Sequence, residues 1–281
     1  MYDGRSDSRT PKDSLRVAVG LSLLLLALGP AAHAQVAPNR ATAYLHPSDL
    51  ADARALWVNP AGLARGLEAS VNADVTVGDP GAAGRLRQLT LGFNSRGLSF
   101  GYQRDVFDGG LRGHTYRSGL AGTYHGLGVG IAATLYRGAA SGTGWDLGLT
   151  YSPQPTLAAA AVITNIGQPT IRGVRLTTTY IPGLSWRPLG PRAALSAHAR
   201  FSTDTTQEGY AVGGRWSAPG RLAVSVLARL DTDGHLRRTG LTVGLSVGAR
   251  DMLGAVASTP GDVSRIQTAS LYGVSKRTAR R

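Results

Sequence analysis

The chain has no cysteine, and lysine occurs only at Lys12 and Lys276. Without a thiol there is no disulfide scaffold, no thiolate metal site and no cysteine nucleophile. Beyond one stretch near the N-terminus, no apolar run approaches the roughly twenty residues a membrane helix needs, so a membrane-embedded form would have to cross as strands. Phenylalanine is scarce at four residues, while glycine reaches 38 and proline 14. The net charge of +13 is carried almost wholly by arginine. Nucleic acid is the first partner such a charge suggests. The arginines, however, are spread singly along alternating segments, with no basic helix and no aromatic-basic motif of an RNA-binding sheet, which argues against it. Pairing with anionic lipid headgroups or lining a lumen are the other uses of arginine that fit.

What is present is a two-residue rhythm that keeps restarting. Leu67, Ala69, Val71, Ala73, Val75 and Val77 share one parity, and Glu68, Ser70, Asn72, Asp74 and Thr76 the other. Successive side chains of a strand point to opposite faces, so one face is apolar and the other polar. The same alternation returns in Leu89, Leu91 and Phe93, in Leu127 to Leu135, in Trp145 to Tyr151, in Leu222 to Ala228 and in Leu241 to Val247. Segments of about ten residues with this pattern signal a transmembrane β-barrel, with the apolar set facing lipid and the polar set a lumen. Burial of the apolar faces between two stacked sheets of a soluble sandwich is the competing reading.

Ahead of the strands, Arg5, Arg9, Lys12 and Arg16 precede the apolar run Val17 to Leu28, and Ala32-His33-Ala34 follows. A charged segment, a short apolar segment and an A-x-A site predict a signal peptide over 1–34, cleaved before Gln35. Residues 35–66 do not alternate and read as a compact segment in which Pro47-Ser48-Asp49 opens a short helix through Arg54. From Leu67 to the C-terminus about fourteen strands are expected, near 67–77, 86–94, 97–105, 115–124, 127–136, 143–152, 157–166, 174–187, 193–203, 207–217, 221–231, 239–249, 253–259 and 268–275. Turn chemistry separates them, as at Asp79-Pro80-Gly81, Asn94-Ser95-Arg96-Gly97, Asp108-Gly109-Gly110 and Pro219-Gly220, and short connections imply antiparallel neighbours. Tyr102, Tyr116, Tyr124, Trp145, Tyr151, Trp186, Tyr210 and Trp216 fall near strand ends, where aromatic girdles sit.

Asn59-Pro60-Ala61-Gly62-Leu63 resembles a motif of the outer-membrane long-chain fatty-acid transporter superfamily, the FadL-like barrels, and of its smaller PorV-type relatives. A second similarity lies in Val162-Ile163-Thr164-Asn165-Ile166-Gly167, followed by Thr178 to Pro188, which is similar to a strand, hairpin and strand of the PorV-type branch. The resemblance implies an all-β fold: a transmembrane antiparallel barrel of about fourteen strands over 67–281, with residues 35–66 folded inside as an N-terminal plug. It places Asn59, Pro60, Ala61 and Gly62 in the lumen and Asn165 and Gly167 in a hairpin. Fatty-acid transporters proper are longer and carry extended outer loops for which this chain has no room. Its basic end, Lys276 to Arg281, stands where a terminal aromatic is usual.

Other motifs have plainer explanations. Gly128-Val129-Gly130-Ile131-Ala132-Ala133 matches a dinucleotide fingerprint, but no helix follows, and the small residues fit the lumenal parity of a strand. Asp231-Thr232-Asp233-Gly234 begins like a calcium loop and lacks the remaining ligands. The histidines have no metal-binding spacing, and no residue stands in a recognisable nucleophile context, so no metal, cofactor or catalytic group is implied. Glu68, Asp74, Arg117, Asp146, Arg200, Arg215, Arg229 and Asp231 are candidate lumen charges, forming either a stabilising ladder or a narrow ion path. The expectation is an outer-membrane barrel that binds or passes hydrophobic small molecules without covalent chemistry, in contact with outer-membrane lipid and lipopolysaccharide. The alternative is a non-transporting barrel that docks an envelope protein partner or serves secretion, as the PorV-type resemblance implies.

Overall fold

The computed structural model describes residues 39–278 apart from 67, 82–83, 140, 172–173, 204–208, 219–222 and 262. The signal peptide over 1–34, the first residues of the plug segment and the Pro219-Gly220 turn lie outside the described residues.

Among those residues, fourteen antiparallel strands close into a single barrel. They are β1 (Glu68–Gly78), β2 (Arg85–Ser95), β3 (Leu98–Val106), β4 (Arg112–Tyr124), β5 (Leu127–Gly138), β6 (Gly142–Gln154), β7 (Leu157–Ile166), β10 (Thr179–Trp186), β11 (Ala193–Ser202), β12 (Gly209–Ser217), β13 (Val224–Asp233), β14 (Arg238–Val247), β15 (Asp251–Pro260) and β16 (Thr268–Thr278). Two short strands, β8 (Thr170–Ile171) and β9 (Val174–Arg175), form a separate ribbon in the connection between β7 and β10. Each barrel strand pairs with its neighbour in sequence, and β1 closes the circle on β16 from Glu68↔Thr278 to Gly78↔Thr268.

The side-chain distribution is inverted relative to a soluble protein. Ser70, Asn72, Asp74 and Thr76 of β1 are buried, whereas Val71 and Val75 between them are exposed. On β2 the inward Gln88 and Thr90 are fully covered while Leu91 is 46% and Phe93 41% exposed. Leu120, Leu147, Leu184 and Val212 continue the apolar outer wall. Stacked sheets would bury such residues against each other; here the polar faces converge and the apolar ones look outward, which suits a barrel in lipid. Tyr124, Tyr151, Trp186 and Trp216 stand exposed near one end of the wall, and Tyr116 and Tyr180 near the other.

One end carries both barrel termini and tight turns such as Arg96-Gly97 and His125-Gly126, whose residues all have positive φ, as hairpins matched to strand twist require. The opposite end carries longer connections, including 167–178.

Two sequence expectations need correction. The strand expected from 174 begins at Thr179, because Val174 and Arg175 pair with Ile171 and Thr170 and the Leu176 N–H donates to the Pro169 carbonyl at 2.9 Å. No helix runs from Pro47 to Arg54; the only α-helix among the described residues is the single turn α1 (Ala55–Val58). The side chains that would cap the expected helix are bound to the wall, Ser48 Oγ to Ser185 Oγ at 2.6 Å and Asp49 to Arg187 at 2.8 Å.

Residues 39–66 form no domain of their own. They are a string of turns, α1 and a 3-10 turn over Pro60–Ala64, laid against the inner side of the strands. The Ala53 N–H donates to Ser70 Oγ of β1 at 2.8 Å, the Arg40 N–H to Gln88 Oε1 of β2 at 2.7 Å, and Asn94 Nδ2 of β2 to the Leu63 carbonyl at 3.1 Å.

Candidate lumenal site

The Asn-Pro-Ala-Gly motif is the joint between this segment and the wall. Asn59, fully buried, has an extended backbone; its Oδ1 accepts from the Ala61 N–H at 3.1 Å and so caps the turn that Pro60 begins. Its Nδ2 donates to the Pro47 carbonyl at 3.0 Å and to the Leu149 carbonyl of β6 at 3.2 Å. The approach is close enough to dictate the wall's composition. A Cβ on Gly148 would stand 2.1 Å from Asn59 Oδ1, and one on Gly130 would stand 2.4 Å from the Pro60 carbonyl carbon. The glycines that imitate a dinucleotide fingerprint thus make room for the motif. Leu56 and Leu63 pack beside it with Leu50, Ala55 and Ala132 in a small apolar cluster.

The candidate lumen charges divide. Arg117 of β4 and Asp146 of β6 form a contact ion pair, and Arg117 also lies 5.5 Å from the centre of the Trp57 ring. Asp146 sits where the β6–β7 ladder shifts register and accepts the Asn165 N–H at 2.9 Å. Asn165, with φ of 59°, donates through Nδ2 to the Thr177 carbonyl at 3.2 Å, and Gly167 follows with φ of 90°. Arg229 pairs with Asp231 at 2.5 Å and reaches the Ala43 and Leu45 carbonyls of the N-terminal segment. Arg215 meets not a ladder partner but Asp49, at 3.3 Å. Asp74 is buried with no cation paired to it among the described residues, Arg200 is exposed on β11, and the side chain of Glu68 lies outside what is described. The structure therefore builds local pairs, not one continuous ladder.

Several groups escaped the sequence reading because they sit on the non-alternating segment or bind it. Asp52 and Arg54 form a buried bidentate pair, with Nε at 3.0 Å from Oδ1 and a terminal nitrogen at 2.9 Å from Oδ2; Lys276 of β16 stands 3.4 Å from Oδ2. Burial pushes the Asp52 carboxyl up, but the charge and hydrogen bonds of Arg54, with Lys276 behind them, outweigh it and hold the carboxyl well below the usual range. His46 Nδ1 lies 3.1 Å from His198 Nδ1 of β11. Burial, then the charge of Arg229, lowers His46 to about 4.

Beside these groups a cavity of about 860 Å³ opens between the segment and the inner side of β11 to β16. One part is cationic, lined by Arg65, Arg187, Arg192, Arg215 and Lys276 with Asp49 and Asp52 among them. Another is apolar, where Tyr44 and Tyr272 pack with Leu45, Leu227 and Met252. Among the described residues no cluster of histidine and carboxylates could hold a metal ion.

A closed barrel with a polar interior, an apolar exterior and a chain segment against its inner wall defines the class: a membrane-spanning β-barrel. No family model and no curated protein matches the sequence. Among solved structures the chain is similar to the CymD monoaromatic hydrocarbon channel, with a TM-score of 0.60 and 11% identity over 84% of this chain and 96% of that one. It is also similar to the toluene transporter TbuX of Ralstonia pickettii, with a TM-score of 0.55 and 12% identity over 82% of this chain and 94% of that one. At that identity the likeness speaks for architecture, and the chain has the fold of a FadL-like barrel.

Proposed function

We propose that this protein is an outer-membrane barrel that binds hydrophobic small molecules and lets them pass, with residues 39–66 as the element that closes the lumen. The observation that carries the reading is the apolar patch of Tyr44, Leu45, Leu227, Met252 and Tyr272, which lines a cavity of about 860 Å³ inside the barrel. A wall meant only for water and ions has no use for such a patch, whereas ligand sites pair apolar surface with a few polar groups. The fold shared with two hydrocarbon channels supports the same reading. Passage by diffusion past the segment needs no covalent step.

The test is uptake of a fluorescent fatty acid and of toluene into vesicles. Faster entry with the inserted barrel than with bare lipid is expected for at least one, and equal rates for both reject passage. Export through a cleaved peptide at 1–34 predicts a mature chain beginning at Gln35, read by N-terminal sequencing of the outer-membrane fraction.

Docking of an envelope partner is the second reading, favoured by the two-residue turns and the arginine-lined mouth at the terminal end. It predicts a stoichiometric partner after mild crosslinking and no change in uptake.

A further inference from the structure

The outer wall is largely apolar, with the Asp251–Arg277 pair at the terminal end and one basic arc at the other. At the end with longer connections, the registers Arg104↔His114 and His114↔Arg137 set three basic residues side by side on β3, β4 and β5. All three belong to the outward parity, because Gln103, Asp105, Thr115 and Thr134 beside them are the buried, inward set. Neighbouring strands lie about 4.8 Å apart, so the row spans roughly 10 Å. Arg112 stands just beyond it, whereas Arg85 and Arg87 of β2 belong to the other face, the Arg87 side chain lying over the inward-facing Gly78. Asp108 lies 2.7 Å from Arg87 and 3.7 Å from Arg85, off this outward row. Arg104, Arg112 and Arg137 have no carboxylate partner among the described residues, and Arg104 Nε is buried without a hydrogen bond.

One step toward the middle of the wall the register continues as Leu91↔Tyr102↔Tyr116↔Leu135, an aromatic row under the basic one. The Tyr102 hydroxyl is 2.8 Å from His114 Nδ1 and its ring centre 5.4 Å from that of Tyr116, which fixes the boundary between the two rows. Basic above aromatic above aliphatic is the order of a membrane interface. On β1, β16 and β15 the outward positions at the same end are Val77, Ala269 and Ala257, so the charge belongs to one arc and not to the whole rim.

We propose that Arg104, His114 and Arg137 form a docking site for the phosphorylated headgroup of a lipid in the leaflet at this end, its acyl chains lying along Tyr102, Tyr116 and the aliphatic wall below. Unpaired guanidinium groups at headgroup depth are matched by phosphate, which arginine binds in a bidentate fork. The longer connections mark this end as extracellular, so the ligand is a phosphorylated glycolipid of the outer leaflet. The inference rests on the membrane-barrel reading and is independent of what the lumen carries.

The test is native mass spectrometry of the full-length mature barrel titrated with a bisphosphorylated glycolipid, its dephosphorylated form and phosphatidylcholine, after heat-modifiable mobility has shown that the barrel is closed. The phosphorylated lipid is expected to bind at least about tenfold more tightly than the other two. The double variant Arg104→Gln with Arg137→Gln should lose that preference, Arg104→Lys with Arg137→Lys should keep part of it, and Arg250→Gln at the opposite end should keep all of it. Equal binding of the phosphorylated and dephosphorylated forms by the unaltered protein overturns the site while leaving the barrel standing. Failure to close in any lipid overturns both.

Discussion

Asn59 performs three bonds with one side chain, and only an amide supplies both the acceptor for the Ala61 N–H and the donors for the Pro47 and Leu149 carbonyls. Asn59→Asp keeps the shape and removes the donors, leaving two buried carbonyls facing a carboxylate. The expected loss is about 1–3 kcal/mol of local stability, seen as faster hydrogen exchange of the 39–66 amides with the strands still protected. Asp52→Asn acts on the same segment from the other side, since Arg54 is left buried without its counter-charge. Its cost should reach about 3–5 kcal/mol, read from protease cleavage within 39–66. The His46–His198 contact adds a pH dependence. His46 is lowered from 6.5 to about 4 by burial and then by Arg229, with Arg200 acting the same way and Asp49 and Asp231 opposing. The unfolded chain therefore binds a proton that the folded one resists, so the contribution is complete above pH 6.5 and is lost as pH falls toward 4. Thermal unfolding in detergent should shift down over that interval, by the equivalent of up to about 3 kcal/mol, and His46→Gln should flatten the slope.

The strands were the most legible part of the chain, for a physical reason. Each has one face toward lipid and one toward the lumen, so parity alone encodes it, and all fourteen expected segments overlap a barrel strand. Where that constraint ends, so does the legibility. Val174 looks like the start of a strand by composition, but it pairs with Ile171 in a separate ribbon, which no period records. Asp49 looks like a helix cap, and only the closed sheet shows that Arg187 and Arg215, far away in sequence, claim it. The Asn-Pro-Ala-Gly motif could be recognised, whereas the cradle formed by Gly130 and Gly148 could be seen only as small residues of lumenal parity. The outward face makes its own prediction. Leu147 lies in the middle of β6, between Ile131 and Ile163 on the neighbouring strands. Leu147→Arg should cost about 2–4 kcal/mol in lipid vesicles, while Leu111→Arg at the rim should cost about 0–1 kcal/mol. Urea unfolding followed by tryptophan fluorescence distinguishes this depth dependence from a soluble protein's.

A barrel of fourteen strands encloses more room than its own inward side chains fill, so something else must occupy the lumen or the molecule is an open pore. We propose that residues 39–66 take that place: buried bonds tie them to β1, β2, β6 and β13, and ion pairs tie Asp49 and Asp52 to Arg187, Arg215 and Lys276. Removing 39–64 from the mature barrel has two consequences that can be separated. The first is steric: the lumen opens, and single-channel conductance in a planar bilayer should rise several-fold over that of the intact protein. The second is electrostatic: Asp49 and Asp52 leave with the segment, while Arg187, Arg215 and Lys276 stay on the wall without their partners. Rings of unpaired cations favour anions, so the opened pore should show a reversal potential of anion sign under a potassium chloride gradient. Restoring only the charges, by Arg187→Gln with Arg215→Gln in the shortened barrel, should reduce that selectivity and leave the conductance high. A shortened barrel that keeps its heat-modifiable mobility but conducts no better than the intact one would mean that the segment decorates the wall without closing the path.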